Sequence, residues 1–183
     1  MRRDTRPRGF AGWRWEVLGE AQGQTLEIGC GAGANFVHYP AGARVTAFDL
    51  RPERVRFAAR THASIPLSVA DAERLPWPDG TFDTVAATLV FCTIPRPEVA
   101  LAEARRVLRP GGRLLLVEHV TSHQTWLARM QEALAPAWLW VTGSCHLARD
   151  TDAAVQAAGF EIKRLRVGYG GLLKLMVAKT RMV

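Results

Sequence analysis

The segment Leu26-Glu27-Ile28-Gly29-Cys30-Gly31-Ala32-Gly33 has the residue types and spacing for ligand chemistry. A short apolar strand runs into a glycine turn that opens toward a helix. Glycines serve where the backbone takes positive φ or passes close to a ligand. A helix start offers free N–H groups. Such a turn suits any nucleotide-like ligand, so alone it is a weak signal. Two carboxylates sharpen it. Glu27 stands just before the turn, where it could hold a cationic group and would repel a pyrophosphate. Asp49 follows eighteen residues after Gly31, placed for ribose hydroxyls. The pair suits a zwitterionic, sulfonium-bearing ligand with an ammonium group.

A second set of candidates lies downstream. His119 is expected at the end of a strand, on the edge where ligands bind in parallel sheets. It could accept a proton from a substrate, or simply be hydrogen-bonded at the strand end. Cys145 and His146 could form a nucleophilic pair, line a pocket with Trp138, or pack a loop. Cys92 reads as small pocket lining after the fourth strand. Trp126, Trp138 and Trp140 could be a platform for the substrate or a cover for the core. His38 and His123 read as surface or loop residues, and His62 as a residue near a helix end. No H-E-x-x-H, CxxC or zinc-type Cys/His spacing occurs, so no metal is expected.

The elements that must position these residues alternate, short apolar runs with helical patterns. That predicts a doubly wound α/β sheet. Strands are expected at 25–29, 44–49, 67–70, 84–89 and 113–118, and two more at 161–167 and 172–179, one of them antiparallel. Helices are expected at 34–39, from Pro52 to about Ala63, from Pro97 to Leu108, from Thr125 to Leu134 or on to Val141, and at 153–158. In the third helix Val99, Leu101, Ala102, Ala104 and Val107 are expected to face the sheet. Pro110-Gly111-Gly112 should stop it, and Gly159 should end the last helix after a cap at Asp150 or Thr151.

With 183 residues, 48% hydrophobic and 22% charged, the chain fits one globular domain spanning 1–183. The three scattered cysteines, Cys30, Cys92 and Cys145, fit a reducing compartment, and a cytoplasmic protein is expected. No apolar run approaches the roughly 20 residues needed to span a bilayer. The start Met1-Arg2-Arg3 followed by polar residues and Pro7-Arg8-Gly9 does not read as a signal peptide. The net charge of +7 could attract an anionic partner. No stretch of five or more basic residues marks a nucleic-acid patch.

Taken together, the motifs resemble those of class I S-adenosylmethionine-dependent methyltransferases over about residues 25–118. Leu26–Gly33 is similar to their first motif, and Asp49 to the acidic residue after their second strand. Asp71-Ala72 is similar to the pair that meets adenine, Phe82-Asp83 to Thr88-Leu89 to the fourth strand, and Val107 to Leu114 to the linker into the fifth. The resemblance implies a Rossmann-like, mostly parallel seven-stranded sheet. It also implies S-adenosylmethionine as cofactor, held by Glu27, Gly29, Gly31, Gly33, Asp49, Leu50, Asp71, Ala72, Thr88 and Leu89. Three further segments, Leu89 to Thr93, Glu118-His119-Val120 and Gly143 to Asp150, resemble thiol S-methyltransferase-like relatives of the ubiquinone/menaquinone type. That implies a small-molecule acceptor: a thiol, a quinone precursor or a lipid-like amine or hydroxyl. His119 is then the candidate catalytic residue, and Cys92, Trp138, Cys145 and His146 the candidate acceptor contacts. Only about 24 residues precede the first strand, which leaves the substrate lid, peripheral membrane contact and oligomeric state open. A nucleotide-dependent dehydrogenase, a nucleic-acid methyltransferase and a non-catalytic cofactor-binding module are the competing readings.

Overall fold

The computed structural model describes residues 9–122, 124–143, 145–146 and 149–181. The basic N-terminal stretch, His123, and Ser144, Leu147 and Ala148 of the C-terminal motif therefore lie outside the described residues.

Seven strands form one sheet: β1 Gln24–Ile28, β2 Arg44–Asp49, β3 Leu67–Val69, β4 Phe82–Thr88, β5 Leu108–His119, β6 Phe160–Gly168 and β7 Leu173–Thr180. Their order is β3-β2-β1-β4-β5-β7-β6. The first five pair in parallel, and β7 runs antiparallel to both β5 and β6. The expected Rossmann-like sheet with one antiparallel strand is the observed one.

Strand alternation assigns side chains to two faces. On one face Val85, Ala87, Leu114, Leu116 and Met176 meet α3 (Pro97–Val107) and α5 (Thr151–Ala157). On the other Ala86, Leu115, Val117 and Leu175 meet α1 (Gly9–Leu18), while Ala47 meets Ala58 of α2 (Pro52–Thr61). In α3 the buried residues are Ala100, Leu101, Ala104 and Val107. Ala102, expected to face the sheet, is exposed, and Ala100 takes that place.

Several boundaries differ from the sequence reading. Helix α1 was not expected, because Gly9 and Gly12 weaken its pattern, yet Trp13, Val17 and Leu18 bury one side of it. The helix expected at 34–39 is only a 3₁₀ turn over Phe36–His38. Pro110-Gly111-Gly112 does not separate α3 from a later strand. Strand β5 starts at Leu108, and residues 109–112 bulge between the pairs Phe82↔Leu108 and Thr84↔Arg113. Helix α4 (Thr125–Thr142) continues past Pro136 and is largely exposed, with Trp126 and Trp140 outside and Leu127 and Gln131 buried. No helix among the described residues is long and apolar enough to cross a membrane.

Candidate active site

A cleft of about 410 Å³ opens at the C-terminal ends of β1, β2 and β4. This is where ligands bind in open α/β sheets. Its walls include Ile28, Gly29, Gly31 and Asn35 from the glycine turn, Asp49 and Leu50 after β2, Asp71 and Ala72 after β3, Thr88 to Val90 after β4, and Arg14 from α1.

The turn is tied down by its own backbone and by Asp49. The Cys30 N–H donates to Phe48 O at 2.9 Å, and the Gly33 N–H to Cys30 O at 2.9 Å. Asp49 accepts the Gly31 N–H on Oδ2 at 2.9 Å and the Arg51 N–H on Oδ1 at 3.0 Å. The glycines do different work. Gly31 has φ +54, and a Cβ there would meet nothing within 4 Å, because it would point into open space. Gly33 has φ +87, and its Cβ would strike His62 and Phe36 at 2.7 and 2.8 Å. Gly33 is buried and does not line the cleft, so the sequence assignment of a ligand contact there is corrected to one of packing.

Glu27 also sits differently from the sequence reading. It is fully buried beneath the cleft rather than in its wall. Its Oε1 accepts from Asn35 Nδ2 at 2.9 Å, and the same amide donates to Thr88 Oγ1 at 3.0 Å. Asn35 and Thr88 both line the cleft, so the carboxylate acts one layer back. Burial pushes the Glu27 carboxyl up to about 7, opposed by Tyr39, Asn35 and the charge of Arg14. Glu27 Oε2 and the buried Nε of Arg14 have no hydrogen-bond partner among the described residues. Such orphans are rare and call for a reason.

The loop after β4 is held from below. Leu89 has φ +58, a left-handed conformation rare for leucine, and its N–H donates to Val117 O at 2.8 Å. Buried Glu118 accepts the N–H groups of Val90, Phe91 and Cys92 at 2.9, 3.0 and 3.3 Å. Burial pushes its carboxyl up to about 7, against those bonds. Arg149 Nη1 donates to Phe91 O and Ile94 O at 2.7 and 2.5 Å.

The middle of this loop carries a second cluster. Cys145 Sγ lies 3.7 Å from Cys92 Sγ and 3.9 Å from His119 Nδ1. Hydrogen bonding with Cys92, then with His119 and Trp138, pulls the Cys145 thiol down from its ordinary range, against partial burial. Cys92 is pushed up by that same bond and by burial. Four candidates separated in sequence, Cys92, His119, Trp138 and Cys145, are thus brought together. His146 joins them through its backbone, its N–H donating to Cys92 O at 2.8 Å. His62 packs edge-on against Phe36 and belongs to the fold. Sequence reasoning missed Arg14, which sits on the unexpected helix, and Asn35, which follows the glycine motif without a recognisable spacing rule. Glu118 and Arg149 fall within motifs named from sequence, but no local signal marks the roles they take here.

A family model described as a methyltransferase domain matches residues 26–116. Thiol S-methyltransferase TMT1A of Homo sapiens is 39% identical over 149 residues, covering 77% of this chain and 61% of that protein. The chain belongs to the class I S-adenosylmethionine-dependent methyltransferases. A phosphatidylethanolamine N-methyltransferase of Cereibacter sphaeroides is 34% identical over 119 residues, 62% of this chain and 59% of that protein. Among solved structures, a methyltransferase of the same cofactor class from Methanosarcina mazei matches the fold with a TM-score of 0.72 at 21% identity, over 90% of this chain and 95% of that one. The chain spans about three fifths of the length of the first curated relatives it matches.

The family implies S-adenosylmethionine, and the cleft residues of this chain fit it. The orphaned Arg14 Nε suits a carboxylate, Asp49 and Asp71 offer acceptors to hydroxyl and amino groups, and Ile28, Phe48, Ala70 and Ala72 give an apolar wall.

Proposed function

We propose that this chain transfers the methyl group of S-adenosylmethionine to a small thiol. One observation carries the reading. The loop after β4 lines the cleft with Thr88 to Val90 and Thr93 to Pro95, while Cys92 in its middle reaches the cluster of Cys145 and His119. A cofactor wall and a sulfur-rich acceptor wall are therefore built from one segment. The relatives named as thiol S-methyltransferases support the choice of thiol over amine.

S-adenosylmethionine supplies a sulfonium-activated methyl group for in-line displacement by the acceptor. The protein's work is positioning and exclusion of water. Arg14 and the Glu27–Asn35–Thr88 chain hold the amino-acid end, Asp49 and Leu50 the ribose, and Asp71 and Ala72 the base. Gly29, Gly31 and Leu89 set the close backbone wall. At the acceptor end His119 promotes loss of the thiol proton as the carbon–sulfur bond forms. Cys92, Cys145, Trp138 and His146 shape the pocket around it. The three scattered cysteines support a reducing, cytoplasmic setting. Formation of S-adenosylhomocysteine from S-adenosylmethionine and an alkyl thiol tests the proposal; turnover with amines or quinols alone would overturn the choice of acceptor.

A further inference from the structure

We propose that Cys92, Cys145 and His119 bind a thiophilic divalent metal ion of the zinc class, leaving a fourth position for the acceptor thiol. The inference rests on reading this cluster as the acceptor end of the site.

Geometry is the first support. One ligand atom from each residue, the two sulfurs and a ring nitrogen of His119, lie within 4.8 Å of one another. Around a tetrahedral zinc with bonds of about 2.3 Å to sulfur and about 2.0 Å to nitrogen, two sulfurs stand about 3.8 Å apart and sulfur and nitrogen about 3.5 Å apart. The observed sulfur–sulfur distance of 3.7 Å matches the first, and the sulfur–nitrogen distance of 3.9 Å is close to the second. Two thiolates and an imidazole are the donor set that selects zinc over magnesium or calcium. Three protein ligands with one open position is the arrangement of catalytic rather than structural zinc.

Pre-organisation is the second support. The three ligands come from the loop after β4, the end of β5 and the segment after α4. The Cys92 N–H is fixed to Glu118, and its carbonyl accepts from the residue next to Cys145. Cys92 is buried and His119 is half-buried. No local spacing reveals the set, because neighbouring ligands are 26 or more residues apart in sequence.

Metal binding releases the protons of Cys92 and Cys145 to solvent. An acceptor thiol at the fourth position releases its own on coordination, since a metal-bound thiol is deprotonated. In that loaded state His119 serves as a ligand, and the acceptor's proton does not pass to its imidazole.

The test is a titration of the reduced, chelator-stripped full chain with Co²⁺ alone. One equivalent should give thiolate-to-cobalt charge-transfer bands that Zn²⁺ abolishes and ethanethiol intensifies. Cys92→Ser and Cys145→Ser should each weaken binding by at least about tenfold. Absent bands, bands unchanged in both variants, or a spectrum indifferent to ethanethiol would overturn the proposal. Should either variant fail to fold, the wild-type chain decides alone. Zn²⁺ should protect Cys145 from iodoacetamide, read by mass spectrometry, and equal labelling with and without metal counts against the site. The titration uses neither S-adenosylmethionine nor turnover, so it stands apart from methyl transfer. Thiol methylation undiminished by a chelator would overturn the metal and leave the transferase reading intact.

Discussion

Glu118 accepts the backbone N–H of Val90 at 2.9 Å and, with the N–H groups of Phe91 and Cys92, fixes the loop that joins the two halves of the site. A carboxyl group fully buried under three N–H donors is held in place by backbone. Glu118→Ala leaves those donors unsatisfied and costs about 2 kcal/mol or more. Loss of loop geometry should weaken S-adenosylmethionine binding together with acceptor turnover. Calorimetric binding and thermal unfolding check this; an unchanged affinity would remove the positioning role.

Stability should depend on pH through the same residue and Glu27. Burial raises both carboxyls from 4.5 to about 7. A raised acid binds more protons in the folded state, so its contribution is full below about pH 4.5 and is lost as pH rises through about 7. The melting temperature of Glu27→Gln should fall less than that of the wild type across that window. Parallel curves would contradict the assignment.

How much of this was legible in the sequence follows from where the information sits. The strand and glycine turn at Leu26–Gly33 and the acidic ends at Asp49 and Asp71 are local signals, and the structure places them around the cleft. A mostly parallel sheet with one of the last two strands antiparallel followed from alternating apolar runs, whereas the strand order and the choice of β7 did not. What stayed hidden was long-range. Arg14 enters from a helix whose glycines mask its pattern, and Glu118 reaches back 28 residues to Val90. Gly31 and Gly33 look alike in sequence but differ in what a Cβ would meet.

That difference is itself testable. Gly31→Ala should cost about 1 kcal/mol in backbone strain and place a methyl group in the cleft, so its main effect is on ligand affinity. Gly33→Ala should cost about 2 kcal/mol through collision with Phe36 and His62. Equal losses of cofactor affinity at matched stability would contradict the division of labour.

The three cysteines should separate by reactivity. The lowered, half-buried Cys145 should alkylate first at neutral pH. Burial pushes the Cys30 thiol up to about 12, and Cys92 is raised and buried, so both should lag. Peptide mass spectrometry after brief iodoacetamide treatment of metal-free protein reads the order, and Cys30 labelling first would contradict it.

Arg14→Met should weaken S-adenosylmethionine binding by about tenfold or more, the scale of one charge-assisted hydrogen bond, because its buried Nε has no hydrogen-bond partner among the described residues. Isothermal titration of both proteins gives the ratio, and equal affinities would exclude Arg14 from the ligand.

The central claim, one methyl-transfer site with a cofactor wall and a thiol wall, meets its most direct measurement in S-adenosylhomocysteine production. The full chain is supplied with S-adenosylmethionine and, separately, an alkyl thiol, an amine lipid or a quinol. The account predicts thiol-dependent S-adenosylhomocysteine that His119→Ala lowers while cofactor binding persists. Binding of S-adenosylmethionine with no thiol-dependent product, or full activity in His119→Ala at every pH, would contradict it.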